Sequence, residues 1–203
     1  MEGLIFDKKP GGAVAEAYRV LCTNLIATLG EKKILEVAGV ADTSNTSEVV
    51  ANLSVALAQA GKNVLVIDCV LRNAKQHELF SLPNRGLAES LSSGEPYINF
   101  VKATKQENLF VLAAGVAGEN LVETLLSKGM QNLLQDAKET YDVILLDVPP
   151  VATVYDAIAL GTKADGVLLM LTNKQDKVEQ AQKAKEMFTQ AGVTVLGCIL
   201  DKA

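Results

Sequence analysis

The sequence predicts an α/β fold: a doubly wound, mostly parallel sheet flanked by helices on both faces. Short aliphatic runs alternate with longer helical patterns along the chain, which is the βαβ signature. The available core is also aliphatic. Of the 203 residues, 49% are hydrophobic but only 4% aromatic, with no Trp. Val, Leu, Ile and Ala are the residues that fill strands buried on both faces.

The strand candidates are Ile34–Gly39, Val64–Cys69, Leu109–Ala113, Val143–Asp147, Val167–Thr172 and Val193–Leu200. Helical patterns cover Ala13–Leu29, Thr46–Ala60, Leu121–Thr140 with a break near Lys128, Tyr155–Thr162, and Lys177–Ala191. Gly61 and Gly192 stand where helices should end before the next strand. Residues 1–203 carry no internal repeat, low-complexity tract or linker and read as one domain, with an N-terminal helical arm over about residues 12–30. Ligands of such sheets sit at the carboxyl ends of the strands. Gly39–Glu48, Asp68–Lys75 and Asp147–Val151 are therefore the segments to search for chemistry.

A net charge of −5 without a Lys/Arg cluster argues against a nucleic-acid partner, because a phosphate backbone requires a basic face. The three cysteines, Cys22, Cys69 and Cys198, have no metal-ligand spacing and read as reduced, buried small hydrophobes. No apolar run reaches membrane-spanning length, and Met1–Ile5 lacks a signal pattern. A cytoplasmic protein is expected, held at the inner face of the cell membrane through a partner. His77 is the only histidine and reads as a surface or packing residue, so no Ser–His or Cys–His constellation arises.

Read in order, several segments resemble the bacterial tyrosine kinases of capsule and exopolysaccharide synthesis. They are Glu16–Asn24, Ala51-Asn52-Leu53, Ala56–Lys62, Val64–Asp68, Leu71-Arg72, Gly86-Leu87, Leu109–Gly115, Leu125–Ser127 and Tyr141–Val151. The resemblance implies a P-loop NTPase-like fold shared with the septum-placement and partition ATPases. It also implies a MgATP site, phosphorylation of tyrosines, and a membrane polysaccharide co-polymerase or a kinase paralogue as partner.

The phosphate-binding loop departs from that pattern. Where the family reads Pro-Gly-x-Gly-Lys-Ser-Thr, this chain has Asp42, Thr43, Ser44, Asn45, Thr46, Ser47 and Glu48. Both glycines and the Lys are replaced, while the metal-binding Ser is kept as Ser47. A missing ammonium and an added carboxylate each weigh about 3 kcal/mol at ~5 Å and an effective dielectric near 20. A micromolar ligand has only about 8 kcal/mol in total. Asn45 with Glu48 also fits a capping box, in which Asn45 accepts from the first-turn N–H groups and Glu48 reaches back to the Asn45 N–H. The helix start would then be satisfied by its own chain.

The remaining site elements are mixed. Of the family's paired aspartates the first is kept as Asp68, a vestigial catalytic residue on this reading, and the second is Val70. Asp147 is kept, and Ser47, Asp68 and Asp147 are the metal ligands if Mg²⁺ still binds. The adenine-reading Asn is replaced by Asp201, whose carboxylate cannot donate as an amide does. On the first helix, Glu16 and Arg19 match the family's oligomer-contact motif, and Cys22 replaces its last Arg. At that spacing Glu16 and Arg19 can also pair within the helix. Homo-oligomers are open to it on this motif. The family's C-terminal tyrosine cluster is absent from residues 1–203, and Tyr18, Tyr97, Tyr141 and Tyr155 are scattered. The expectation is a pseudokinase without a cofactor, acting as a binding module. An active autokinase using ATP and Mg²⁺ is the alternative.

Overall fold

The computed structural model describes residues 4–41, 45–116, 121–151, 156–172 and 178–201. Among them seven strands form one sheet: β1 (Ile34–Gly39), β2 (Val64–Asp68), β3 (Lys102–Ala103), β4 (Leu109–Leu112), β5 (Val143–Asp147), β6 (Gly166–Thr172) and β7 (Val195–Asp201). The spatial order is β3-β4-β2-β5-β1-β6-β7. Every pairing is parallel except the short β3–β4 pair, so the expected doubly wound sheet is present.

Alternation along each strand splits the core into two layers. Ile34, Ala38, Leu65, Ile67, Ile144, Leu146 and Leu169 point to one face. They meet α7 (Lys128–Thr140), α8 (Asp156–Gly161) and α9 (Val178–Gln190) through Leu133, Leu134, Leu160 and Phe188. Leu35, Val37, Val64, Val66, Leu145 and Met170 point to the other face. They pack on α2 (Ala13–Leu29) and α3 (Thr46–Gln59), the latter buried from Thr46 to Ala58 with only Glu48 partly exposed. Near-continuous burial of β1, β2 and β5 is what fully covered parallel strands require.

The expected helix stop at Gly61 is realised. Its φ of +82° is left-handed, a conformation open to glycine and strained for a side chain, and it turns the chain from α3 toward β2. The predicted break in the long helical pattern falls at Ser127, between α6 (Leu121–Leu126) and α7, where the Ser127 hydroxyl accepts from the Met130 N–H.

Three short helices were not expected: α1 (Ile5–Lys8), α4 (Gln76–Leu79) and α5 (Leu87–Ser93). The first is anchored by α3. The Asn52 amide oxygen accepts from the Ile5 N–H at 2.8 Å, and its Nδ2 donates to the Glu48 carbonyl at 2.8 Å. At the amino ends of the strands, Asp165 accepts from the Lys33 and Ile34 N–H groups at 2.9 Å each and pairs with Lys138 at 2.7 Å. Burial opposes its ionisation, but the Ile34 N–H, Lys138 and Lys33 outweigh it and hold the carboxyl below its ordinary value.

The cysteine reading needs one correction. Cys22 and Cys69 are buried, but Cys198 is exposed, because β7 is an edge strand and its alternate residues face outward. Among the described residues no helix is long and apolar enough to cross a membrane.

Candidate functional site at the carboxyl ends of the strands

Parallel pairing places the ends of β2 and β5 level. Asp68 and Asp147 are register partners, both fully buried, and the Cys69 N–H donates to the Asp147 carbonyl at 2.8 Å. The first turn of α3 faces the same place, with Thr46 and Ser47 only 4% and 9% exposed.

Asp68 is saturated by backbone. Its Oδ1 accepts from the Val70 N–H at 3.0 Å, and its Oδ2 from the Lys75 and Gln76 N–H groups at 3.2 and 3.0 Å. Such bonds favour the carboxylate, yet burial and then the Asp147 charge override them and raise its pKa. Asp147 is also raised by burial, with Gln76, Ser47 and the Lys75 ammonium pulling back. Two like charges this deep in the protein favour holding a proton between them.

Gln76, fully buried at the start of α4, joins these pieces. Its Nε2 donates to Asp147 Oδ2 at 2.7 Å and to the Ser47 carbonyl at 2.9 Å. Among the described residues Asp147 Oδ1 and Gln76 Oε1 have no hydrogen-bond partner. A divalent ion between Ser47 and Asp147 needs several oxygens turned toward it. Here one Asp147 oxygen faces the Gln76 amide nitrogen and both Asp68 oxygens face backbone donors, which leaves Asp147 Oδ1 and the Ser47 hydroxyl as the candidate ligands not taken by Gln76 or by backbone.

Ser47, Asp68 and Asp147 are thus brought together as expected. Asp42, Thr43 and Ser44 lie outside the described residues. The expected cap at Asn45 is not made. Its side chain forms no capping hydrogen bond, and the Glu48 and Val49 N–H groups bond to the Asn45 carbonyl at 3.1 and 3.2 Å. The reason is local: Asn45 has ψ 48° rather than the extended backbone that turns a cap side chain over the first turn. Asp201, at the end of β7, and Glu48 both lie near Tyr18. Burial first, then these two carboxylates, push the Tyr18 hydroxyl up to about 12.

Glu16 and Arg19 form the anticipated intrahelical pair at 3.1 Å. Arg19 also donates to the Pro10 carbonyl at 2.6 Å and lies 5.5 Å from the Phe6 ring centroid. Sequence reasoning missed Gln76. Nothing in its identity marks it, and its only signal is its place eight residues beyond Asp68, where the chain turns back to the strand ends. It also missed Glu36, fully buried on the central strand β1 with neither oxygen hydrogen-bonded among the described residues.

Comparison with known proteins places this geometry. The AAA domain family model matches residues 36–190. The putative tyrosine-protein kinase CapB of Staphylococcus aureus is 32% identical over 202 residues, 98% of this chain and 89% of that protein. The kinase domain of the Escherichia coli tyrosine kinase ETK matches with a TM-score of 0.93 at 29% identity, over 98% of this chain and 79% of that one. The septum site-determining protein MinD of Pyrococcus horikoshii, complexed with Mg-ADP, shares the fold at a TM-score of 0.72 and 24% identity, over 83% and 69% of the two chains. With a family model over most of its length and a curated relative nearly coextensive with it, the chain belongs to the AAA domain family and, within it, to the bacterial tyrosine-protein kinases.

Proposed function

We propose that this chain is a pseudokinase of capsule or exopolysaccharide synthesis, a binding or regulatory module that keeps the kinase fold without its nucleotide. One observation carries the reading. At the family's phosphate-binding lysine stands Thr46, 4% exposed in the first turn of α3, and no glycine lies between Val40 and Gly61. Without glycines the backbone N–H groups are harder to wrap around a phosphate, and without the ammonium the β/γ charge is unneutralised. Val70 in place of the second aspartate and Asp201 in place of the adenine-reading amide point the same way. The module acts at the inner face of the membrane, through a polysaccharide co-polymerase or an active kinase paralogue, with the α2 face around Glu16 and Arg19 as a contact. Calorimetric titration with MgATP and MgADP to millimolar concentrations tests it. No saturable binding is expected, and clear saturation would refute the reading.

A second reading, an active tyrosine autokinase with an atypical site, is favoured by the retained trio of Ser47, Asp68 and Asp147 at one place. Transfer of labelled phosphate to a tyrosine of this chain, abolished by Asp68→Ala, would establish it. A cation donated in trans would then replace the missing lysine.

A further inference from the structure

Glu36 stands in the middle of β1, the strand between β5 and β6, and no part of it reaches solvent. Strand alternation turns it toward the layer of Ile34 and Ala38, away from Asp68 and Asp147. Neither of its oxygens has a hydrogen-bond partner among the described residues. Leu146 of β5 and Val167 of β6 flank it in register. The last residue of α8 closes the cover. A Cβ on Gly161 would lie 3.3 Å from Glu36 Oε2 and 2.9 Å from the Phe188 ring. That cover is thin, since Gly161 is buried while Thr162 beside it is exposed.

We propose that Glu36 is a proton-operated seat for α8: neutral, it lets the helix close over β1, and ionised, it drives the end of that helix open. No charge nearby compensates the carboxylate. The titratable group beside it is the Cys69 thiol, itself fully buried. Inward from α8 and α9 come Leu160, Ala184 and Phe188, all apolar, while Glu179, Lys183, Lys185 and Glu186 of α9 are exposed. Asp165, beyond α8, is engaged by the Lys33 and Ile34 N–H groups and by Lys138. A carboxylate in such a place must carry a proton or reach water. The sheet cannot give way, because β1 is hydrogen-bonded on both sides. Of the two helices above, α9 has thirteen residues and α8 only six, so α8 is the unit that lifts at least cost. The response is local: one helix rises while the sheet stays folded.

Amide hydrogen exchange of the full chain tests the seat, with rates corrected for the intrinsic effect of pH on exchange. Opening of Ala157–Thr162 should rise about tenfold for each pH unit above that of an ordinary carboxyl, the mark of one proton released, until the closed form itself ionises. Below the unfolding transition, urea should leave these rates unchanged, as a local opening requires, while the α3 amides of Val50–Ala58 quicken with urea. Glu36→Gln, neutral at every pH, should make the corrected α8 rates independent of pH, and Glu36→Leu should do the same. In ¹³C-labelled wild type the Glu36 carboxyl carbon should keep the chemical shift of a protonated acid at about pH 6. Wild-type α8 rates that ignore pH would overturn the seat, as would a rise that persists in either variant. So would α8 amides that open only in the urea-dependent step shared with α3. An ionised Glu36 at about pH 6 beneath a protected α8 would overturn it without any variant.

Discussion

Asp68 and Asp147 occupy matched positions at the ends of adjacent parallel strands, both fully buried, and residue 76 donates to each. The pairing puts two acids into a space that solvent does not reach, so its energetics turn on whether each charge is compensated.

Replacing one acid while keeping its acceptor oxygen should therefore help. Asp147→Asn removes a buried like charge, and its amide oxygen still accepts from Gln76. Stabilisation by about 1–2 kcal/mol is expected near neutral pH. It would appear as a higher urea midpoint with an unchanged slope. Asp147→Ala leaves one of the two Gln76 amide protons without its acceptor and should destabilise by about 1–3 kcal/mol. The opposite signs of the two variants separate charge from hydrogen bonding.

Glu36 makes stability depend on pH. Burial pushes its carboxyl well above the ordinary value, and its near neighbour among titratable groups is the Cys69 thiol. The folded protein thus holds this proton more tightly than the unfolded chain does. No ionisation penalty applies below the unfolded value of about 4.3. Stability then falls as pH rises toward the folded value. Glu36→Leu, similar in size, should flatten that decline. The variant should gain about 2–4 kcal/mol over wild type at pH 8 and distinctly less at pH 5, measured by denaturant unfolding.

Asp165 has the reverse sign. Its carboxyl is held low by two backbone N–H groups and Lys138, so its contribution is complete above the unfolded value of about 3.9. It is lost as pH falls through the folded value. Asp165→Ala should cost about 1–2 kcal/mol at pH 7, solvent screening of this partly exposed carboxylate included, and less as the pH falls below its folded value, visible in urea midpoints across that range.

The Asn52 side chain couples the start of the chain to α3. Asn52→Ala removes the acceptor for the Ile5 N–H and the donor to the Glu48 carbonyl. Amide exchange of Ile5–Lys8 should quicken about tenfold or more, and global stability should drop by about 1–3 kcal/mol. Unchanged exchange would mean that Leu4 and Phe6 hold α1 by packing alone.

What the sequence could and could not reveal follows from how each feature is encoded. Ile34–Gly39 and Val143–Asp147 coincide with β1 and β5, and Ala13–Leu29 with α2, because a central strand or a long amphipathic helix repeats its signal over many residues. The four residues of α1 or α4 span about one turn and cannot display a period. Asp68 and Asp147 were legible as candidate site residues, and the structure places them side by side, because strand ends are where such sheets gather polar groups. Gln76 was not, since its role arises from a loop that folds back across the sheet. The Asn45 cap failed at a single torsion, ψ 48°, which composition does not specify.

The burial of Thr46 bears on evolutionary reversibility. This residue is 4% exposed, and its helix is packed through Ala58. Thr46→Lys would add a long flexible stem and an ammonium to a space filled for a small side chain, a misfit of the kind that overpacked interiors resist. On the proposed pseudokinase reading, Thr43 and Asn45 would also have to become glycine before that ammonium had a phosphate to meet, so regaining a nucleotide would take several individually unrewarded changes.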